Sequence, residues 1–198
     1  MKGAPANLPH LTERFCLFVI IAFGESLVSI VTILVGKTTE PPTLLFALLC
    51  FSIISLMWAS YFFAYENQID HHLTTNGQVL LYGHFAILVS VMLLAGDIEL
   101  LYEHHLKDQV LLFFLYGPVA LFYLSKGLVF FYHRKRDQIE SRYLREFIPA
   151  AAISVLAFVN EATGLSLIVN LLLVAIFCGL EIFLRQGRHR RLGQWLRI

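Results

Sequence analysis

The apolar residues of this chain fall in blocks of about twenty, the length a helix needs to cross the roughly 30 Å hydrocarbon core of a bilayer, and short polar stretches separate the blocks. Inside hydrocarbon every backbone N–H and C=O must be satisfied by the chain itself, so only helices and closed barrels span it. These blocks lack the alternation of barrel strands. The expected fold class is therefore all-α, a polytopic transmembrane helical bundle of about six spans. The composition agrees, with 58% hydrophobic and 15% charged residues among 198. A net charge of +1, with the basic residues beside apolar spans, argues against nucleic acid as a partner and points to the lipid bilayer. No cofactor is implied.

The spans are expected near residues 12–35, 43–65, 79–101, 109–132, 147–160 and 165–184, as a single transmembrane domain over residues 1–198. The fifth is the shortest. Pro41 and Pro42 fit the first turn of the second helix, where a missing amide is tolerated, and Pro149 fits the first turn of the fifth. Asn76-Gly77 marks a turn before the third. The first apolar stretch runs past Glu25 to Val35, too long for a cleaved signal peptide, so it reads as a retained helix. Cys16, Cys50 and Cys178 lie inside apolar segments without metal-binding spacing and are expected to pack as small hydrophobes.

Six spans place Lys2, Arg14, Arg134, Lys135, Arg136, Arg142, Arg145, Arg185, Arg188, Arg190, Arg191 and Arg197 on one side of the membrane. The other side keeps Lys37 and Lys107. By the positive-inside rule both termini are expected in the cytoplasm.

Ionisable residues within spans are costly, about 3 kcal/mol each on insertion scales, so they usually face a partner or a water-filled path. Glu25 with Ser29 and Thr32 follows i, i+4, i+7, a polar stripe expected to face other helices, with Gly24 allowing a neighbouring backbone close. Two readings of Glu25 stand open: glue between helices, or part of a proton relay. Lys126 is read as snorkelling to the interface along its stem; pointed inward, it would be the counter-charge of Glu25 or His84. His84 reads first as a packing histidine, with proton transfer open to it. Together Glu25, Ser29, Thr32, His84 and Lys126 form the candidate intramembrane polar pathway. Glu99 and Glu103 share a helix face near His104, but nothing fixes converging ligands, and no metal site is assigned. Gly24-Glu25-Ser26 on a helix is not a nucleophile elbow, so catalysis has little support and no catalytic residue is named. A lipid-acting enzyme would have to use Asp97, Glu99, Glu103 and His104.

The run HLTERFCLFVIIAFGESLVSIV, residues 10–31, resembles the motif of the bacterial low temperature requirement protein A (LtrA) family. MWASYFFAYE and YGHFAILVSVMLLAGDIEL resemble that family's aromatic second helix and its Tyr-Gly-His helix. The positions matching its polar motif are His10, Glu13, Arg14, Gly24, Glu25, Ser26, Gly83 and His84. The resemblance implies a multi-pass protein of the bacterial cytoplasmic (inner) membrane, from a family named for a growth phenotype in the cold. It departs at Cys16, where a small residue is usual. It departs also in lacking an upstream half with an ELFFDLVFV-like motif, so the chain reads as a C-terminal half needing that half or a second copy. The leading functional expectation is a proton- or ion-coupled transporter or channel. The alternative is a structural or regulatory membrane protein needed in the cold.

Overall fold

A computed structural model of the chain describes residues 7–36, 40–69, 77–103, 108–133 and 147–195. Within them the chain forms six helices: α1 (Leu8–Gly36), α2 (Pro41–Gln68), α3 (Gln78–Glu103), α4 (Asp108–Tyr132), α5 (Ile148–Thr163) and α6 (Leu167–Trp195). Five carry stretches long and apolar enough to cross a membrane. The protein is a helical membrane bundle.

Helix ends fall where backbone chemistry puts them. Proline opens α2 after an extended Glu40, and proline stands in the first turn of α5, since the first amides of a helix have no partner to lose. Gly164, at φ 63°, closes α5 in the left-handed region that glycine enters without penalty, and its N–H bonds the Asn160 carbonyl at 3.0 Å. Two helices outrun their expected bounds by more than a turn. α1 begins at Leu8, so His10 and Glu13 are helical, and α6 continues to Trp195 through its arginines.

At 16 residues α5 is about 24 Å long, short of the roughly 30 Å hydrocarbon core. It runs along α4 between Phe131 and Tyr116. Phe147 packs on Phe131 near one end, with ring centroids 5.9 Å apart, and Asn160 bonds Tyr116 near the other. The C-terminal end of α4, the start of α5 and the C-terminal half of α6 therefore lie toward one end of the bundle.

Neighbour packing closes the helices into a ring in the order α1, α3, α4, α5, α6, α2, and α2 also reaches α4 across it. The core is apolar, with Val19, Ile53, Met57, Ile87, Leu115, Phe122 and Val174 buried. Cys16, Cys50 and Cys178 are buried free thiols. Among the described glycines the tightest approach is at Gly83: a methyl built there would strike the Val129 side chain on α4. Gly24, by contrast, has open space around it, so the close approach expected there is found at Gly83 instead.

Gly83→Ala is accordingly expected to lose about 1–3 kcal/mol of stability by overpacking the α3–α4 contact. Gly24→Ala should be neutral or stabilise by up to about 1 kcal/mol, since alanine is the better helix former. Thermal unfolding of both variants in detergent checks the contrast.

Candidate functional site

On α4, Tyr116, Tyr123 and Lys126 recur at i, i+7 and i+10 and form one buried stripe. Lys126 lies about 9 Å along the axis from the end of the helix at Tyr132, and its side chain turns inward. Its Nζ donates to Ser60 Oγ on α2 and, at 3.1 Å, to Glu181 Oε1 on α6. Ser60 Oγ donates to Glu181 Oε2 at 2.6 Å, and Arg185 Nε, one turn further on, donates to Oε1. Both carboxylate oxygens are thereby bonded, and three helices meet on one carboxylate. The Tyr123 ring lies 4.6 Å from the ammonium, and the Phe122 ring 5.8 Å, distances at which an aromatic face attracts a cation. Dehydrating a charge costs several kcal/mol even in real proteins, and hydrogen-bonded pairing is what offsets it. The Tyr123 hydroxyl is also buried here. With Ser60 and Cys178 beside it, it completes no hydrogen bond to a described residue.

A second polar group lies between α1, α2 and α3. His84 is fully buried, with its ring stacked on Phe15 at 4.9 Å between centroids. Its Nδ1 stands 2.8 Å from the Leu80 carbonyl, which can only accept, so Nδ1 carries a proton. In the neutral ring Nε2 then accepts from the Tyr61 hydroxyl at 2.9 Å. His133, just past the last turn of α4, uses Nδ1 in the same way toward the Val129 carbonyl, at 2.9 Å. Burial lowers its pKa below the ordinary histidine value. Towards the opposite end, Tyr116 donates to Asn170 Oδ1 at 3.0 Å and accepts from Asn160 Nδ2, which ties α4, α5 and α6 together.

Over residues 2–180 the sequence matches the family model described as bacterial low temperature requirement A protein (LtrA). The chain belongs to the LtrA family. No curated protein and no solved structure matches it. Ser60, Tyr61, Gly83, His84 and Lys126 of this LtrA chain lie inside the family match, which ends one residue before Glu181.

Of the family-motif positions, Ser26, Gly83 and His84 are buried between helices, whereas His10, Glu13, Arg14, Gly24 and Glu25 are exposed. The expected inward stripe is corrected: Glu25 and Thr32 are exposed and Ser29 is half-buried, so all three lie toward the outer surface of α1. The inner face of that helix carries Thr12, Cys16, Val19, Phe23, Ser26 and Ile30. Ser29 Oγ and Thr32 Oγ1 bond carbonyls of their own helix, at Glu25 and Val28. Lys126 is corrected too, since it does not snorkel, and its counter-charge is Glu181 rather than Glu25 or His84. The candidate pathway thus separates into a buried Lys126, a buried His84 on another set of helices, and an outward Glu25 stripe. Asp97 is buried, whereas Glu99 and Glu103 are exposed, and His104 lies outside the described residues. Among the described residues no metal-binding cluster forms.

Sequence reading missed Glu181, Ser60 and the two tyrosines of the α4 stripe. The signal was present: Glu181 is an acid within an apolar helix, four residues before Arg185.

Removing the acid leaves Lys126 buried without its counter-charge. Glu181→Leu should therefore cost about 3–5 kcal/mol, whereas Ser60→Ala should cost about 1–3 kcal/mol, the range for hydrogen bonds to charged groups. Unfolding in mixed micelles measures both.

Proposed function

We propose that this integral membrane protein of the LtrA family carries protons or ions across the bacterial cytoplasmic membrane, with movement coupled to making and breaking the Lys126–Glu181 pair. The observation that supports this is the pair itself, two opposite charges 3.1 Å apart where α2, α4 and α6 converge inside an apolar bundle. Buried ionisable residues facing the bundle interior are what intramembrane pathways use. A proton arriving at Glu181 would neutralise the carboxylate and remove its attraction for Lys126 and Arg185. The contacts holding α6 to α4 and α2 would then be released, giving two arrangements of the same helices. The Tyr123 hydroxyl, buried near Ser60 and Glu181, is the neighbouring group that would take up a hydrogen bond and pass the proton once the pair opens, and the proposed orientation, both termini cytoplasmic, follows the basic clusters. In this reading Glu25, Ser29 and Thr32 meet a further transmembrane helix, from a second copy or an upstream half. A carboxylate against lipid would cost about 3 kcal/mol.

A second reading is favoured by the completeness of the Glu181 bonds: the node acts as a clamp, and the protein is structural or regulatory. Both oxygens are used, which is what a static tie requires.

Proteoliposomes under an imposed pH gradient, read with an internal pH dye, separate the two. Transport predicts a flux in the wild type that Glu181→Gln and Lys126→Met abolish, while Glu25→Gln keeps it. Tyr123→Phe removes a hydroxyl that completes no bond, so stability should hold or rise while flux is lost. Absence of flux in the wild type, across a panel of cations and anions, would leave the clamp as the account.

A further inference from the structure

An open cleft of about 460 Å³ lies between α4 and α5, a volume within the roughly 300–1,000 Å³ of small-molecule sites. It is separate from the Lys126 node, toward the opposite end of the bundle. Its floor is made of small residues, Gly117 and Ala120 on α4 and Ala157 on α5. Its walls are two aromatic rings, Phe113 and Phe158, which are 71% and 73% exposed. From Gln109 to Ala120 it extends along α4 by about 17 Å at 1.5 Å per residue. That is close to the roughly 15 Å of one leaflet, half of the hydrocarbon core.

The polar groups are at one end. Gln109 is in the first turn of α4 and Glu161 in the last turn of α5, both exposed, where α4 begins and α5 ends. Two hydroxyls also line the cleft but are committed elsewhere. Tyr116 bonds Asn160 and Asn170, and Ser154 Oγ donates to the Ala150 carbonyl at 2.9 Å. A ligand therefore meets an anion and an amide at the mouth and an apolar channel one leaflet deep below them.

We infer that this cleft binds a membrane phospholipid whose head carries a primary ammonium, with one acyl chain laid along Gly117, Ala120 and Ala157 and the ammonium on Glu161. A carboxylate selects a cation, and a primary ammonium brings three N–H donors that satisfy Glu161 and the Gln109 carbonyl together. A quaternary ammonium offers no donor, and an anionic head is repelled. The narrow floor and aromatic walls fit a single flexible chain.

The test incubates the purified protein in detergent with equimolar phosphatidylethanolamine, phosphatidylcholine and phosphatidylglycerol, and counts retained lipids by native mass spectrometry. The wild type should retain phosphatidylethanolamine over the other two. Glu161→Gln, at an exposed position that tolerates the change, should weaken that retention about fivefold, the size an exposed ion pair supplies. Ala157→Phe, which fills the floor, should lose all three lipids, and if that variant does not fold the Glu161→Gln arm decides alone. Equal retention of the three lipids by the wild type, as annular lipid gives, would overturn the inference. So would a preference that survives Glu161→Gln, or a folded Ala157→Phe that keeps its lipid.

Discussion

An ammonium and a carboxylate placed between apolar helices can persist only if each answers the other, and that requirement ties the LtrA chain together at Lys126 and Glu181. Lys126 comes from α4, Glu181 from α6, and the Ser60 hydroxyl that bonds both comes from α2. Rotating any one of the three helices would separate a charge or a hydrogen bond from its partner, at a cost of about 1–5 kcal/mol. Apolar packing in a membrane does not discriminate strongly between faces, because lipid tails are as apolar as leucine. Here the polar contacts are what distinguish one rotation from another. The Tyr116–Asn160–Asn170 group does the same for α4, α5 and α6 toward the other end.

The contact between α1, α3 and α4 rests on a different device. Gly83 lets α3 approach α4 closely at Val129, and His84, next in sequence, turns the other way onto Phe15 and Tyr61. Adjacent residues on a helix point to faces about 100° apart, so the Gly83-His84 pair serves two interfaces at once. Its neutral ring is fully used, one nitrogen on a carbonyl and the other on a tyrosine hydroxyl. This supports the packing role for the histidine more directly than a relay role.

Much of the fold was legible because the bilayer leaves little choice: backbone satisfaction forces helices, thickness fixes their length, and proline and glycine mark their ends. All six helices could be placed in this way, including the short α5. Helix rotation was not legible. On α1 the apolar residues run all round, so a polar stripe at Glu25, Ser29 and Thr32 read as the inward face, although Ser26, one position away, is the one that packs against α3. The node was half legible. Lys126 stood out as a lone cation, but its partner lies 55 residues away, beside a run of arginines that drew Arg185 into the basic tail instead of into the bundle. Short-range periodicity carries no record of such a pairing.

A double-mutant cycle on Lys126 and Glu181 tests the central claim most directly, with Lys126→Met, Glu181→Leu and the double variant unfolded in mixed micelles. Direct pairing predicts strong coupling: each single variant loses several kcal/mol, and the double is more stable than the sum of the two losses allows, because no buried ammonium remains without its carboxylate. Losses that simply add, within about 0.5 kcal/mol, would mean that the two charges do not meet, and would contradict the account.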